Sequence, residues 1–178
     1  MTLNQPSFCY FCGNEVTHNK EELAICPKHG ILWALKQPGL CADALIIKGG
    51  QILLIQRNRQ PFLGCWAMPG GFQKYGEHPA KTVIREVAEE TGLTIIPTGL
   101  LGIYLENMPD RTYRQITVFL AEINAGTLQA GDDANQADWF NINTIPDNVV
   151  PYHQQRINDY IAKMPSFYDR SLGPEPQS

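Results

Sequence analysis

No run of the chain is apolar for the roughly 20 residues that a bilayer-spanning helix needs. No charged start followed by an apolar stretch marks a secretory signal. Positive charge is scarce as well: 14 Lys and Arg stand against 18 Asp and Glu, a net charge of −4. That balance leaves no electrostatic footprint for general nucleic-acid binding. Five cysteines in a chain without a secretion signal do not suit a disulfide framework. There is no internal repeat and no low-complexity block. What is present is a globular composition, 43% hydrophobic and 18% charged. The 178 residues have room for one ordinary domain and a small appendage. The expectation is a soluble cytoplasmic protein with no membrane or nucleic-acid partner.

The most informative stretch runs from Gly71 to Leu93. Pro79 suits the first turn of a helix and Gly92 the position just past its end. Between them Ala80, Val83, Ile84, Val87 and Ala88 fall within one arc of roughly 140°. Glu86, Glu89 and Glu90, at i, i+3 and i+4, share a neighbouring arc. Like charges at this spacing repel, so the ridge lowers stability unless a cation neutralises it. Hard carboxylate oxygens suit Mg²⁺ or Mn²⁺ better than zinc or copper. A solvated acidic face is the plainer alternative. Glu77 before the helix, Arg85 beside the acids and the Gly70-Gly71 pair count against it.

Two close pairs occupy the N-terminal segment, Cys9-x2-Cys12 and Cys26-x2-His29. Each has the spacing that chelates one side of a tetrahedral zinc, and turn-forming Gly13-Asn14 and Gly30 follow them. Four protein ligands close such a site, so its zinc is structural. His18 lies within the segment as the alternative to His29 for the fourth position. Cys41 and Cys65 are left over, and Cys41 reads as a buried thiol.

Further on, Leu40–Ile47 reads as a buried strand, Gly49-Gly50 as a hairpin turn and Gln51–Gln56 as its return. Asp43 falls at a pocket mouth or a strand edge. Leu93–Ile96 is expected to stop at Pro97, with strands at 99–105, 115–123 and 138–142 and a closing helix over 152–164. His153 reads as a capping or packing histidine at the start of that helix. Arg57-Asn58-Arg59 opens a polar loop that runs past Phe62 to Trp66. Trp66 is either a core anchor or a base-stacking surface. The connection 106–114 mixes Glu106, Asp110, Arg111 and Arg114, and is either an exposed hairpin tip or a phosphate grip, since arginines pair well with phosphate oxygens.

Gly71-x5-Glu77-x7-Arg85-Glu86-Val87-x-Glu89-Glu90-x-Gly92-Leu93 resembles the Nudix box at every fixed position. The resemblance implies a Nudix-type α/β/α sandwich around a mixed sheet over 38–165; the Cys and His pairs set a zinc ribbon before it over 1–37, and the Pro-, Ser- and Gln-rich end reads as a flexible tail over 166–178. It implies hydrolysis of a nucleoside diphosphate derivative with Mg²⁺ or Mn²⁺. The Gly70 carbonyl, Glu86, Glu89 and Glu90 are then the metal ligands, Glu77 supports them, and Arg85 orients Glu86. The general base is a box glutamate or a loop acid among Glu106, Asp110, Asp132 and Asp133. Candidate substrate contacts are Arg57, Trp66, Glu106, Arg111 and Asp133.

Residues 130–134 followed by Trp139-Phe140 resemble the ADP-ribose pyrophosphatase branch, although Gln136 stands where that group often has an acid. The implied reaction is ADP-ribose plus water giving AMP and ribose 5-phosphate. NADH pyrophosphatases, which also carry a zinc ribbon, are the alternative. Their Ser-Gln-Pro-Trp signature is absent from residues 93–125, and their four zinc ligands are cysteines. A reading of another class is a non-catalytic nucleotide sensor, but every box glutamate is present. The ribbon offers Tyr10 and Phe11 but no arginine, and is read as a stabilising or dimerising appendage, which leaves a homodimer open.

Overall fold

The computed structural model describes residues 7–18, 24–32, 39–108, 113–131 and 134–163. The chain divides into two compact units, Met1–Pro38 and Gly39–Ser178. In the first, β1 (Thr17–His18), β2 (Ala24–Cys26) and β3 (Gly30–Leu32) form an antiparallel meander. Its small core consists of Cys9, Ala24 and Cys26, with Cys12 and Val16 packed against them.

The second unit is built on β4 (Gly39–Lys48) and β5 (Gln51–Arg57), joined by Gly49-Gly50 with both φ positive, as a two-residue hairpin of this twist requires. Two short strands, β6 (Trp66–Ala67) and β7 (Gly70–Phe72), lead into helix α1 (Pro79–Thr91). Then come β8 (Leu93–Asn107), β9 (Tyr113–Gly126), β10 (Ala134–Asn141) and helix α2 (Pro151–Ile161). The main sheet runs β10-β5-β4-β9-β8, with β6 against β5 and β7 against β4. Only β4 and β9 pair in parallel within it, so the sheet is mixed.

Strand β4 is central and buried on both faces, which its near-continuous apolar run requires. Ala42, Ala44 and Ile46 join Val83 and Val87 of α1 in one core. Cys41 and Leu45 join Ile157 of α2 in the other. The result is the α/β/α sandwich. Packing also explains how an acidic helix is tolerated. Each like-charge pair on α1 costs about 0.2–0.5 kcal/mol. Val83 and Val87, fully buried, contribute about 1.5–3 kcal/mol each.

The C-terminal half departs from the sequence expectation. Strand β8 does not stop at Pro97 but continues to Asn107, with register shifts around Thr94, Pro97 and Leu100. It is an edge strand, where a missing N–H costs the ladder little and bulges are accommodated. Strand β10 starts at Ala134 rather than at 138. Helix α2 covers Pro151–Ile161 rather than 152–164, and Ile161 at its end is 43% exposed. The tail expected over 166–178 lies outside the described residues. Among the described residues no helix is long and apolar enough to cross a membrane.

Candidate active site

Helix α1 is fixed at both ends. The His78 side chain accepts from the Ala80 N–H at 3.1 Å, and Gly92 closes the helix in the left-handed region at φ 69°. Arg85 then ties the acids together. Its Nε and Nη2 donate to both oxygens of Glu77 at 2.9 Å. Its Nη1 donates to Glu86 at 2.6 Å and Glu89 at 3.0 Å, and Nη2 also reaches the Phe72 carbonyl at 3.0 Å. The repulsion expected of the ridge is therefore offset inside the chain by one guanidinium. Hydrogen bonds from Arg85 and then from the Lys74 N–H hold the Glu77 carboxyl down at about 2.

The three ridge carboxylates have different surroundings. Glu89 is more than half exposed. Glu86 lies against Gly71, where a Cβ would come within 2.5 Å of its carboxyl carbon. Glu90 is buried and accepts from the Gly70 N–H at 2.9 Å. Gly70 in turn pairs with Asp43 across β4 and β7, and a Cβ there would sit 2.3 Å from Asp43 Oδ1. Two consecutive glycines are thus needed for space: one admits β4, the other a carboxylate.

Glu90, Gly70 and Gly71 form one end of a cavity of about 200 Å³. Arg57, Arg59 and Arg114 also line it, together with Glu106, Phe62, Tyr152 and His153. Arg114 lies over the Phe72 ring at 4.8 Å. Arg57 Nε is anchored on the Pro61 carbonyl at 2.9 Å. Arg156 and Asp43 line the cavity too; Arg156 is 1% exposed and bridges Asp43, at 2.5 Å, and Glu106. Burial pushes both carboxyls up, and the Arg156 charge between them opposes the rise. The His153 Nδ1 accepts from the Met68 N–H at 3.1 Å. Burial, then the Arg156 and Arg57 charges, hold its pKa well below 6.5, so the ring is neutral with its proton on Nε2.

The structure thus brings Gly70, Glu90, Arg57 and Glu106 to one cavity, with Glu86 against Gly71 and Glu77 and Arg85 behind the ridge. Trp66 is a correction: it lies in the core, edge-on to Phe140 at 4.6 Å, and does not line the cavity. Strand β6 turns it inward between β5 and Val149. Arg111 and Asp133, like Asp110 and Asp132, lie outside the described residues. His153 is not a cap of α2, whose start has no side-chain cap bond; it reaches back to Met68. The Asp43–Arg156 pair was not foreseen. Its one sequence signal is an arginine beside Ile157 on the inward side of an amphipathic helix.

In the first unit, Cys9, Cys12, Cys26 and His29 converge, with all four ligand atoms within 4.8 Å of one another. His29, not His18, is the fourth member; His18 stands exposed on β1. The backbone N–H groups of Lys28 and His29 donate to Cys26 Sγ at 3.3 and 3.4 Å. Burial works against the thiolate, yet these donors outweigh it and hold the thiol at about 6.

The family profile described as NUDIX domain matches residues 38–160. The ADP-ribose pyrophosphatase of Methanocaldococcus jannaschii is 42% identical over 127 residues, covering 70% of this chain and 73% of that protein. An NAD-capped RNA hydrolase, NudC, of Pectobacterium carotovorum is 30% identical over 146 residues, 81% of this chain, but the chain spans only 54% of its length. A NUDIX hydrolase structure from Nitrosomonas europaea shares the fold with a TM-score of 0.75 at 21% identity, over 92% of this chain and 97% of that one. The box, the sandwich and these likenesses agree, and the chain belongs to the Nudix hydrolase family.

Proposed function

We propose that the protein hydrolyses ADP-ribose to AMP and ribose 5-phosphate. The observation that carries this reading is the junction of Glu90 and Gly70, a box carboxylate hydrogen-bonded to the glycine turn at the wall of an arginine-lined cavity. The likeness to the M. jannaschii enzyme supports the choice of substrate.

Nudix hydrolases use divalent cations such as Mg²⁺ or Mn²⁺. The donor set fits one: carboxylates and a backbone carbonyl are the hard oxygen ligands these ions take. Glu86, Glu89, Glu90 and the Gly70 carbonyl would hold it. Bound there, it neutralises phosphate charge and acidifies water. Arg85, locked on Glu77, keeps Glu86 and Glu89 in place. Arg57, Arg59 and Arg114 suit the phosphate oxygens at the cavity wall. Both Glu106 and Glu89 pair with an arginine, but Glu106 is held by the buried Arg156 and has little access to water. Glu89, with its side chain 55% exposed, is the acid with room to take a proton from water.

The test is turnover of ADP-ribose, NADH, diadenosine polyphosphates and nucleoside triphosphates with Mg²⁺ or Mn²⁺. Wild type is expected to favour ADP-ribose. Glu89→Gln and Glu90→Gln should lose more than the ~10–100-fold typical of groups that only support a metal ligand. No turnover on any substrate, or full activity in both variants, would refute the reading. NADH is the second reading, favoured by the NudC likeness; a tenfold preference for it would replace ADP-ribose.

We further propose a structural zinc on Cys9, Cys12, Cys26 and His29. Zinc bonds of about 2.3 Å to sulfur and 2.0–2.1 Å to nitrogen give tetrahedral edges of about 3.8 Å between sulfurs and about 3.5 Å between sulfur and nitrogen. Cys12 and Cys26 Sγ are 3.7 Å apart, and His29 Nδ1 lies 3.5 Å from Cys9 Sγ and 3.7 Å from Cys26 Sγ. Metal analysis should find one zinc per chain, lost in Cys26→Ser and kept in His18→Ala. The reverse pattern for His18→Ala and His29→Ala would discard this ligand set.

A further inference from the structure

Helix α2 lies outside the Nudix box, yet it grips the strand segment that leads into the box. His153 and Arg156 stand three residues apart, on one face of the helix. His153 Nδ1 takes the Met68 N–H at 3.1 Å, and Arg156 Nη1 holds Asp43 Oδ2 at 2.5 Å. Asp43 is the register partner of Gly70, and its other oxygen fills the space beside the Gly70 α-carbon. Just upstream, the Val150 N–H donates to the Trp66 carbonyl at 2.8 Å, and the Trp66 N–H to the Asn148 carbonyl at 3.0 Å. Gly70 then gives its own N–H to Glu90 at 2.9 Å. Residues 66–70 are therefore held by the 148–156 segment at one end and by Glu90 at the other.

Stability alone does not account for this clamp. An apolar set of similar volume often holds a core at least as well as a buried ion pair. Here Arg156 is fully buried, and its Nε has no hydrogen-bond partner among the described residues. An unsatisfied buried donor costs about 1–3 kcal/mol.

We infer that His153 and Arg156 are positioning residues for the divalent-cation site, acting through Met68, Asp43 and Gly70 to set where Gly70 stands against Glu90. This rests on the reading of Gly70 and Glu90 as cation ligands. The two α2 side chains bond to the Met68 N–H, to Asp43 and to Glu106. Their effect reaches the site through the backbone between Met68 and Gly70.

The experiment measures Mn²⁺ affinity without nucleotide, from the paramagnetic resonance of the free ion. It adds the Mg²⁺ dependence, kcat and KM of ADP-ribose hydrolysis, and thermal melts. The variants are His153→Ala, His153→Asn (which keeps an acceptor near the Nδ1 position), Arg156→Met, and Gln155→Ala as an exposed control on the same helix. Glu90→Gln marks the site being read. His153→Ala is expected to weaken Mn²⁺ about tenfold and to lower kcat, with KM for ADP-ribose at saturating Mg²⁺ near wild type. His153→Asn should recover most of the loss, and Gln155→Ala should match wild type. Arg156→Met should act in the same direction. If it fails to fold, the Ala–Asn contrast at position 153 decides alone. Unchanged Mn²⁺ affinity in His153→Ala, with wild type binding and hydrolysing normally, overturns this inference and leaves the proposed function standing. So does a raised KM with intact Mn²⁺ affinity, which would make His153 a substrate contact. Wild type that shows no cation dependence overturns both.

Discussion

Gly70 and Gly71 are adjacent and chemically identical, but a methyl group added to each meets different obstacles. At Gly71 it meets the Glu86 carboxylate, with carbon and oxygens at 2.5–2.8 Å. A carboxylate at the end of a side chain can swing away, at the expense of its bond to Arg85. At Gly70 the added group meets Asp43 Oδ1 and also the β4 backbone, at 2.5 Å from the Ala42 carbonyl and 2.6 Å from the Asp43 α-carbon. A central strand cannot retreat. Gly71→Ala is therefore expected to fold with a near-normal melt while needing ~10–100-fold more Mg²⁺ for half-maximal activity, the range for a disturbed metal ligand. Gly70→Ala should lose stability before anything else. Urea titrations beside Mg²⁺-dependence curves check the pair, and equal loss of stability in both would contradict the assignment.

At the scale of elements, what was legible in the sequence was what is written locally. Pro79, Gly92 and the apolar positions Val83, Ile84 and Val87 between them specify α1, because a helix start, stop and packed face all lie within a few turns; Ala88, expected on that face, is exposed. The β4–β5 hairpin was legible for the same reason, through Gly49-Gly50. Strand β8 was not. Pro97 is a stop signal anywhere except on an edge, and edge status depends on strands far away in the chain. Strand β8 accommodates the proline with a register shift between Pro97 and Gly99. The cavity wall was hidden more deeply, since Asp43 and Arg156 are separated by 113 residues and meet only after α2 docks. Local signals also make local predictions. Gly92 ends α1 at φ 69°, with its N–H on the Ala88 carbonyl at 3.0 Å, and an added Cβ would lie 2.9 Å from the Thr127 carbonyl oxygen. Gly92→Ala pays the left-handed penalty of about 1–2 kcal/mol. It should melt several degrees lower, at about 2–4 °C per kcal/mol for a domain of this size. A melt within one degree of wild type would mean that the helix ends elsewhere.

For the molecule as a whole, stability is linked to pH through the largely buried histidine of α2, its side chain 14% exposed. His153 faces Asp43, whose Oδ2 lies 4.0 Å from Nδ1, and it stands among Arg156, Arg57 and the Met68 N–H. A proton on Nδ1 would abolish the acceptor for Met68 and bury another cation beside Arg156. Asp43 offers little compensation, because it already pairs with Arg156. The folded pKa is therefore well below 6.5, whereas the unfolded chain titrates near 6.5. Below that value the unfolded state binds one more proton than the folded state. The contribution is present in full above about pH 6.5 and is lost as pH falls through the region beneath it. His153→Asn keeps an acceptor near the same place but cannot titrate. Urea denaturation at pH 7.5, 6.5 and 5.5 should show wild type losing more stability than His153→Asn as pH falls below about 6.5, with the two nearly parallel above pH 7. Parallel curves throughout would mean that His153 takes up its proton in the folded protein as readily as in the unfolded one, and that the bond to Met68 does not hold the ring neutral.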